Sequence, residues 1–167
     1  MSPSSARSGP RPGSAEGAFC QVLRIIGLLE RVMQPHFARF GITGAQWGVL
    51  RNLHRAEVEG HAALRLTDLG ERLLIRPPSV TGVVDRLERA GLVTRGETPT
   101  DLRAKQVALT PRGRRLVERV LSVHGSVIEE VMGGLTPAGQ AELQQLLARL
   151  EEHLNGLLAA GGVVNSD

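Results

Sequence analysis

The sequence predicts a mainly α-helical fold of the α+β class, in which one two-stranded β-hairpin is set among helices. Apolar residues recur at helical spacing over most of residues 18–160, whereas Val107 and Leu109 alternate with polar or small neighbours, as in a half-buried strand. Prolines and glycines separate these segments. The length of 167 residues and the apolar share of 41% are ordinary for a single globular domain.

The N-terminal segment is predicted to be a disordered tail followed by one long helix. Residues 1–17 are rich in Ser, Pro, Gly and Arg and contain almost nothing to bury. Apolar residues then keep near-helical spacing from Ala18 to about Phe40, and Pro35 is expected to kink or locally break the helix. Gly41 closes it, so residues 18–42 form the first helical segment.

The second helix is predicted from a capping box at its start. Thr43 is the N-cap, and Gln46, three residues later, can return a hydrogen bond to the Thr43 amide. Apolar residues at helical spacing continue to about Arg55, and residues 56–63 are predicted to be a loop.

Two short helices follow, separated by a pair of prolines. The apolar residues of the first share one face at helical spacing: Leu66, Leu69, Leu73 and Leu74. Thr67 is positioned to cap this helix. Pro77 and Pro78 are tolerated only in the first turn of a helix, so a new helix is predicted over about residues 77–90.

This second short helix has two contrasting faces. Its apolar positions are Val80, Val83 or Val84, and Leu87. The opposite face has a small, hydroxyl-rich start and an arginine-rich end, made of Ser79, Thr81, Gly82, Asp85, Arg86 and Arg89. Such a face suits a helix in a DNA major groove, because small polar side chains can reach base edges while arginines reach guanines or phosphates. Gly91 supplies the left-handed turn that ends the helix.

The hairpin that follows is predicted to be a wing, meaning two strands around a long exposed loop. The strands are placed at about residues 92–95 and 105–109, with a loop of turn composition over residues 96–102. Arg103 would then be free to enter a minor groove, held in place by an ion pair with Asp101. Residues 43–110 are therefore predicted to form a DNA-binding domain of helix-turn-helix and wing.

The C-terminal segment, residues 111–160, is predicted to form two further helices. Thr110-Pro111 and Thr136-Pro137 each combine a capping residue with a proline in the first turn, and Gly133-Gly134 separates the helices. These helices contain more leucine and valine than one small domain can cover, which is typical of a subunit interface. Residues 161–167 are predicted to fray.

Positive charge is concentrated in the predicted DNA-binding region. Residues 65–115 contain eleven basic and six acidic residues, a local excess of five, whereas the whole chain has a formal net charge of +3. A local basic patch is the usual electrostatic footprint of phosphate binding. The residues expected to contact DNA are Arg76, Ser79, Thr81, Arg86, Arg89, Arg95, Asp101, Arg103 and Lys105.

This stretch resembles the winged helix-turn-helix of the MarR family of bacterial transcriptional regulators. The resemblance rests on Leu69-Gly70, Ser79-Val80-Thr81, Val84-Asp85-Arg86-Leu87-Glu88, Ala90-Gly91-Leu92-Val93, Arg95, Asp101, Arg103, Val107, Leu109, Thr110 and Gly113. The order and spacing hold over about a third of the chain, and the flanking helices also fit. Leu102 departs from the pattern, because the family often has a second arginine between the Asp and the Arg of the wing.

The resemblance implies a repressor that acts as a homodimer. The N- and C-terminal helices would form the dimer and set two recognition helices roughly 34 Å apart, one DNA turn, on an inverted-repeat operator. It also implies release by a small phenolic or carboxylate effector. Our hypothesis for the effector pocket is the group His36, Arg39, Arg51 and His54, near the junction of the first two helices.

Other functions remain open or are disfavoured. Cys20 could sense peroxide, as a cysteine early in the first helix does in one branch of the family, but that branch activates the thiol with tyrosines and this chain has none. The five histidines are scattered without metal-ligand spacing, so no metal and no cofactor are expected. The sequence contains no nucleophile elbow, no glycine-rich phosphate loop and no Cys-x-x-Cys, so an enzyme is disfavoured. A helical dimeric scaffold without specific DNA binding is the remaining alternative.

The expected location is the cytoplasm. A single cysteine rules out an intrachain disulfide framework, and no stretch approaches the roughly 18 continuous apolar residues of a membrane helix. The N-terminus also lacks the apolar core of a signal peptide.

Overall fold

The computed structural model describes residues 13–73, 77–98 and 101–162, with side chains described for all of these except 77, 78, 97, 98 and 101–105. The elements in chain order are α1 (Ala15–Ala38), α2 (Gly44–Val58), β1 (Leu64–Arg65), α3 (Leu66–Leu73), α4 (Pro77–Arg89), β2 (Val93–Thr98), β3 (Asp101–Leu109), α5 (Pro111–Met132) and α6 (Pro137–Ala159). The chain divides into two compact units, the first ending at Val123 and the second beginning at His124.

Helix α1 differs from the prediction at its start and at Pro35. It begins at Ala15, three residues early, because the Ser14 hydroxyl accepts a hydrogen bond from the Gly17 amide at 3.0 Å and caps the helix. It also continues through Pro35 to Ala38 instead of breaking. Pro35 lies in the last turn, where the missing amide costs a single backbone hydrogen bond before the helix ends. The predicted tail before residue 13 lies outside the described residues.

The capping box of α2 is confirmed. The Thr43 hydroxyl accepts from the Gln46 amide at 3.2 Å, and the Gln46 side chain accepts from the Thr43 amide at 2.8 Å. The helix runs to Val58, three residues beyond the expected end, because Ala56 is fully buried and continues its apolar face.

The start of α3 is capped by a different residue from the one predicted. The helix begins at Leu66, so Thr67 lies inside its first turn and donates a 3.3 Å hydrogen bond to Asp68. The second oxygen of Asp68 accepts from the Arg65 amide at 3.3 Å. The Asp68 carboxylate therefore caps the start of α3 by accepting from the amide of Arg65, the residue before the helix.

The sheet has three antiparallel strands in the order β1-β3-β2, one more than the predicted two-stranded wing. The additional strand, β1, places Leu64 opposite Val107. The wing strands are also longer than predicted, and most of the expected loop over residues 96–102 is strand. Thr98 lies opposite Asp101 and Glu97 opposite Lys105, so a register shift accommodates residues 102–104.

The core of the first unit lies between helices α2 to α5 and the sheet. Both Val83 and Val84 are buried, where the sequence left either one as the inward position. Fully buried side chains come from α2, α3, α4, both long strands and α5: Val49, Leu50, Leu53, Leu69, Val80, Val84, Leu87, Val93, Val107, Val117 and Val120. This core holds α4 on its apolar face and leaves the opposite face exposed.

Within the second unit, α6 begins as predicted. The Thr136 hydroxyl accepts from the Gly139 amide at 3.2 Å, and Pro137 occupies the first turn. Five leucines of α6 are exposed, and Leu158 is the most exposed of them at 69%. In the part of the chain that the structure describes, no helix is both long enough and apolar enough to cross a membrane.

Candidate nucleic-acid interface

Helix α4 presents its polar face outward, as the sequence predicted. Ser79, Thr81, Arg86 and Arg89 are exposed, while Val80, Val83, Val84 and Leu87 on the other side are buried in the core. Along the helix, the hydroxyl side chains of this face lie near its start and the arginines near its end. The burial of the opposite face fixes which residues face solvent, because a helix anchored by four apolar side chains cannot rotate without exposing them. Arg76, predicted beside this face, lies outside the described residues.

The two exposed arginines of α4 have no ion-pair partner among the described side chains. The Arg89 Nε donates a 3.3 Å hydrogen bond to the backbone carbonyl oxygen of Asp85 instead of to its carboxylate. Both guanidiniums therefore keep charge that no neighbouring described carboxylate neutralises.

Arg95 of β2, predicted to contact DNA, is instead bound to two carboxylates of α4. Its Nη2 lies 2.5 Å from Asp85 Oδ1, and its Nη1 lies 2.6 Å from Glu88 Oε2. The Arg95 amide also donates to Glu88 Oε1 at 3.3 Å. The side chain is only 19% exposed. Its position joins α4 to the first wing strand, and its terminal nitrogens are occupied by the two carboxylates.

The charge of Arg95 is secured by this arrangement. Burial works against the charged guanidinium, but hydrogen bonds and charge from Asp85 and Glu88 outweigh burial and raise the pKa of Arg95 above its ordinary value. The two carboxylates consequently face a permanent cation at any physiological pH.

A second junction fixes the end of α4 against the start of α5. The Thr110 hydroxyl lies 2.8 Å from the carbonyl oxygen of Gly91 and 3.2 Å from that of Leu92, and it accepts from the Gly113 amide at 3.0 Å. Gly91 adopts the predicted left-handed conformation, with φ of +68°. Gly113 lies directly against the Leu92 carbonyl, and a β-carbon there would sit 2.1 Å from that oxygen. The absence of a side chain at residue 113 is what allows this approach.

Two acidic residues at the end of α2 tie it to neighbouring helices. Glu57 binds Arg114 of α5 at 2.7 Å, and Glu59 binds both Arg55 at 2.8 Å and Arg72 of α3 at 3.2 Å. The hydrogen bond from Arg55, joined by the hydrogen bond and charge of Arg72, lowers the pKa of Glu59, and the hydrogen bond to Glu57 raises the pKa of Arg114. Sequence reasoning missed the pairs to Arg72 and Arg114, because their partners are 13 and 57 residues apart.

The predicted wing residues are placed by their backbone. Asp101, Arg103 and Lys105 all lie in β3, not on a loop. Arg103 falls in the register shift, between the pairs Thr98–Asp101 and Glu97–Lys105. The predicted ion pair between Asp101 and Arg103 lies outside the described side chains.

The four residues of the hypothesised effector pocket lie on two adjacent elements. His36 and Arg39 are at the end of α1, and Arg51 and His54 are on α2, which packs against it. His36 is buried beside the rings of Phe37 and Phe40, at centroid distances of 5.1 and 5.7 Å. Arg39 and Arg51 are exposed, and His54 is half-buried.

Cys20 and the histidines are the residues on which the alternative sensor hypotheses depend. Cys20 is exposed on α1. Among the described residues, no three His, Cys, Asp or Glu side chains are grouped as a bound metal ion would need.

Comparison with known sequences matches the chain to transcriptional regulators. A family model described as "MarR family" matches residues 40–104. The HTH-type transcriptional regulator FarR of Neisseria gonorrhoeae is 34% identical over 125 residues, which are 73% of this chain and 82% of FarR. The uncharacterised HTH-type transcriptional regulator YkoM of Bacillus subtilis is 34% identical over 94 residues, which are 56% of this chain and 61% of YkoM, less than two thirds of its length.

Solved structures match over more of the chain. A single-residue mutant of MarR from E. coli, complexed with operator DNA, has a TM-score of 0.71 at 25% identity and covers 83% of this chain and 99% of its own. BpsR of Bordetella bronchiseptica, whose DNA binding is regulated by 6-hydroxynicotinic acid, has a TM-score of 0.60 at 31% identity. That match covers 77% of this chain and 98% of BpsR.

Proposed function

The chain belongs to the MarR family of transcriptional regulators, which are not enzymes, and from this premise we propose that it is a repressor released from DNA by a small aromatic acid. It binds an inverted-repeat operator as a homodimer, with α4 in the major groove and the wing in the adjacent minor groove. The observation that carries the proposal is the exposed face of α4, where hydroxyls and arginines stand on a helix anchored by a fully buried opposite face. Because its proposed target is operator DNA, the protein acts in the cytoplasm.

The chemistry of this face supports readout of bases and phosphates. Ser79 and Thr81 are short enough to let the start of α4 approach base edges and to hydrogen-bond with them. Arg86 and Arg89 follow five and eight residues after Thr81, where they can bind guanines or phosphates. We include Arg76, Asp101 and Lys105 in the proposed interface on their sequence positions, and we leave out Arg95 because its terminal nitrogens already hold carboxylates.

The homodimer is supported by apolar faces that a monomer leaves uncovered. On α1, Phe19 is 64% exposed and Val32 is 59% exposed. The same helix exposes further apolar residues on several sides: Leu23, Ile25, Ile26, Leu28 and Leu29. A helix that is apolar around most of its surface is stable in water only when other helices cover it. A second copy of α1 and α6 supplies such cover, and two copies match the two half-sites of an inverted repeat.

The proposal is tested with a DNA duplex that the wild-type protein selects from a random-sequence library. We expect tight binding of one dimer per inverted repeat, with strong salt dependence. Arg103→Ala is expected to weaken this binding by about 1–3 kcal/mol, roughly 5- to 150-fold, because a minor-groove cation is lost. Fluorescence anisotropy across a salt series measures both effects.

Arg55→Ala is the matched control, because Arg55 is an exposed arginine already paired with Glu59. It should leave the dissociation constant unchanged within error. Selection of no common sequence, or equal weak binding to all duplexes by wild type and Arg103→Ala, would contradict the proposal and favour a helical scaffold.

The effector is proposed to be a hydroxylated aromatic carboxylate. This rests on the likeness to BpsR and on the position of His36, Arg39, Arg51 and His54 at the α1–α2 junction. Arginine and histidine side chains can hold a carboxylate, and the neighbouring rings of Phe37 and Phe40 can pack against an aromatic ring. A ligand that prefers the DNA-free state by only about 1–3 kcal/mol acts as a switch.

The Arg51→Ala, His54→Ala double variant is expected to keep operator binding and to lose release by 6-hydroxynicotinic acid, because the groups that hold the carboxylate are removed. Titration of the preformed complex with this acid measures the effect. Arg55→Ala, on the same helix, should respond like wild type. If the double variant is released at the wild-type concentration, the pocket does not lie at these residues. Parallel titrations with an organic hydroperoxide and with zinc test the Cys20 and metal alternatives.

A further inference from the structure

We propose that Arg95 keeps the arginines of α4 available to DNA by occupying the two carboxylates of the same helix. In this role Arg95 is a positioning residue that never touches the operator. Asp85 and Glu88 are its targets, and Arg86 and Arg89 are the groups that it keeps free. The inference rests on the proposed DNA-binding function and adds how the charge of the reading helix is controlled.

The end of α4 carries acidic side chains beside the arginines that are proposed to bind DNA. The last two turns carry two acids and two bases in the order Asp85, Arg86, Glu88, Arg89. Without another partner, this segment has no net charge and presents two carboxylates beside the phosphates of DNA. Asp85 and Arg89 are also four residues apart with the acid first, the arrangement that favours an ion pair along a helix. Such a pair would withdraw Arg89 from DNA.

The observed contacts show a different pairing. Arg95 Nη2 and Nη1 hold Asp85 and Glu88 at 2.5 and 2.6 Å, one carboxylate to each nitrogen. Arg89 consequently turns its Nε to the Asp85 carbonyl oxygen at 3.3 Å and forms no pair with the carboxylate. The net charge of the group including Arg95 becomes +1, and the positive part is carried by exposed side chains.

Arginine is the side chain that this site needs. Its guanidinium presents two terminal nitrogens in a fixed plane and can hold two carboxylates at once, whereas a lysine ammonium is a single point charge. At 19% exposure, Arg95 is more buried than Asp85 at 45% and Glu88 at 39%. The cation is therefore the least exposed of the three charged groups, and its two ion pairs tie both acids of α4 to β2.

The test separates charge control from a purely mechanical clamp. Asp85→Asn with Glu88→Gln removes both negative charges and keeps amide oxygens that can accept from Arg95. We expect this double variant to bind the selected duplex as tightly as wild type or more tightly. Arg95→Met is expected to bind at least about tenfold more weakly, with a salt slope lower by about one. The triple variant, which combines Arg95→Met with the two amide substitutions, should recover most of the lost DNA affinity. In it no carboxylates remain to repel phosphates or to pair with Arg89.

Arg114→Met is the matched control. It also removes one positive charge within the same unit, here together with a single ion pair, to Glu57. It should leave DNA affinity within error of wild type. Thermal unfolding of every variant is measured alongside, so that a loss of folded protein is separated from a loss of affinity.

A mechanical clamp gives the opposite pattern. If the double amide variant loses affinity as Arg95→Met does, and the triple variant is not rescued, the proposal is wrong. The double amide variant decides the question alone if Arg95→Met does not fold. Failure of the wild-type protein to select any duplex would overturn the DNA-binding function itself, and that result appears before any variant is compared.

Discussion

Replacing Gly113 by alanine is expected to lower the free energy of unfolding by about 2–4 kcal/mol, because the new side chain has no space. The added β-carbon would lie 2.1 Å from the Leu92 carbonyl oxygen and 3.1 Å from its carbonyl carbon. Both are backbone atoms, and the Thr110 hydroxyl and amide hold that carbonyl in place. Relief therefore requires α5 to move away from the α4–β2 turn, which breaks the Thr110 junction.

Gly125→Ala, in the same helix, is the matched control. A β-carbon at residue 125 meets no atom within 4 Å, so the change should stabilise the helix by about 0.5–1 kcal/mol through its higher helix propensity. Denaturant unfolding of the two variants measures the opposite signs. Equal effects of the two substitutions would show that the close approach at Leu92 does not constrain the fold.

Leu87→Ala is expected to cost about 2–5 kcal/mol and to abolish specific DNA binding at temperatures where wild type is folded. Leu87 is fully buried on the inner face of α4, next in sequence to the exposed Arg86. The substitution leaves a cavity among side chains that cannot fully collapse. Because α4 is anchored by few apolar residues, the same cavity loosens the helix proposed to read DNA.

The measurement pairs denaturant unfolding with anisotropy on the selected duplex. Val58→Ala is the control, since Val58 is 77% exposed and its truncation should change stability by no more than about 0.5 kcal/mol. A Leu87→Ala protein as stable as the control would mean that α4 is not seated in the core as the structure places it.

The confirmed predictions rest on signals that act within a few residues. The capping box of Thr43 and Gln46 spans one helical turn, and the prolines that begin α4, α5 and α6 act through their own missing amides. The two faces of α4 were predicted because side-chain direction in a helix follows from sequence spacing alone. These local rules were enough to indicate the fold class and the helix whose outer face is suited to DNA.

The predictions that failed concern contacts between distant residues. Strand β1 has two residues and exists because Leu64 pairs with Val107, 43 positions away, so it leaves no periodic signal. The wing strands extend through residues that have turn composition, because cross-strand pairing outweighs local preference in a sheet. The segment around Arg103 was therefore predicted as a loop and is found as a strand with a register shift.

Local sequence was enough to predict the helices, the caps of α2 and α6 and the outward face of α4, since these depend on neighbours within one or two turns. The roles of Arg95 and Gly113 depend instead on the packing of distant segments. A basic residue in a basic segment predicts a phosphate contact, yet Arg95 folds back onto Asp85 and Glu88. A glycine in a helix start predicts nothing specific, yet Gly113 admits the Leu92 carbonyl. In both cases the contribution of the residue to stability depends on which backbone atoms and charges the fold brings within about 3 Å of it. These neighbours are distant in sequence, so they are known only from the packed chain.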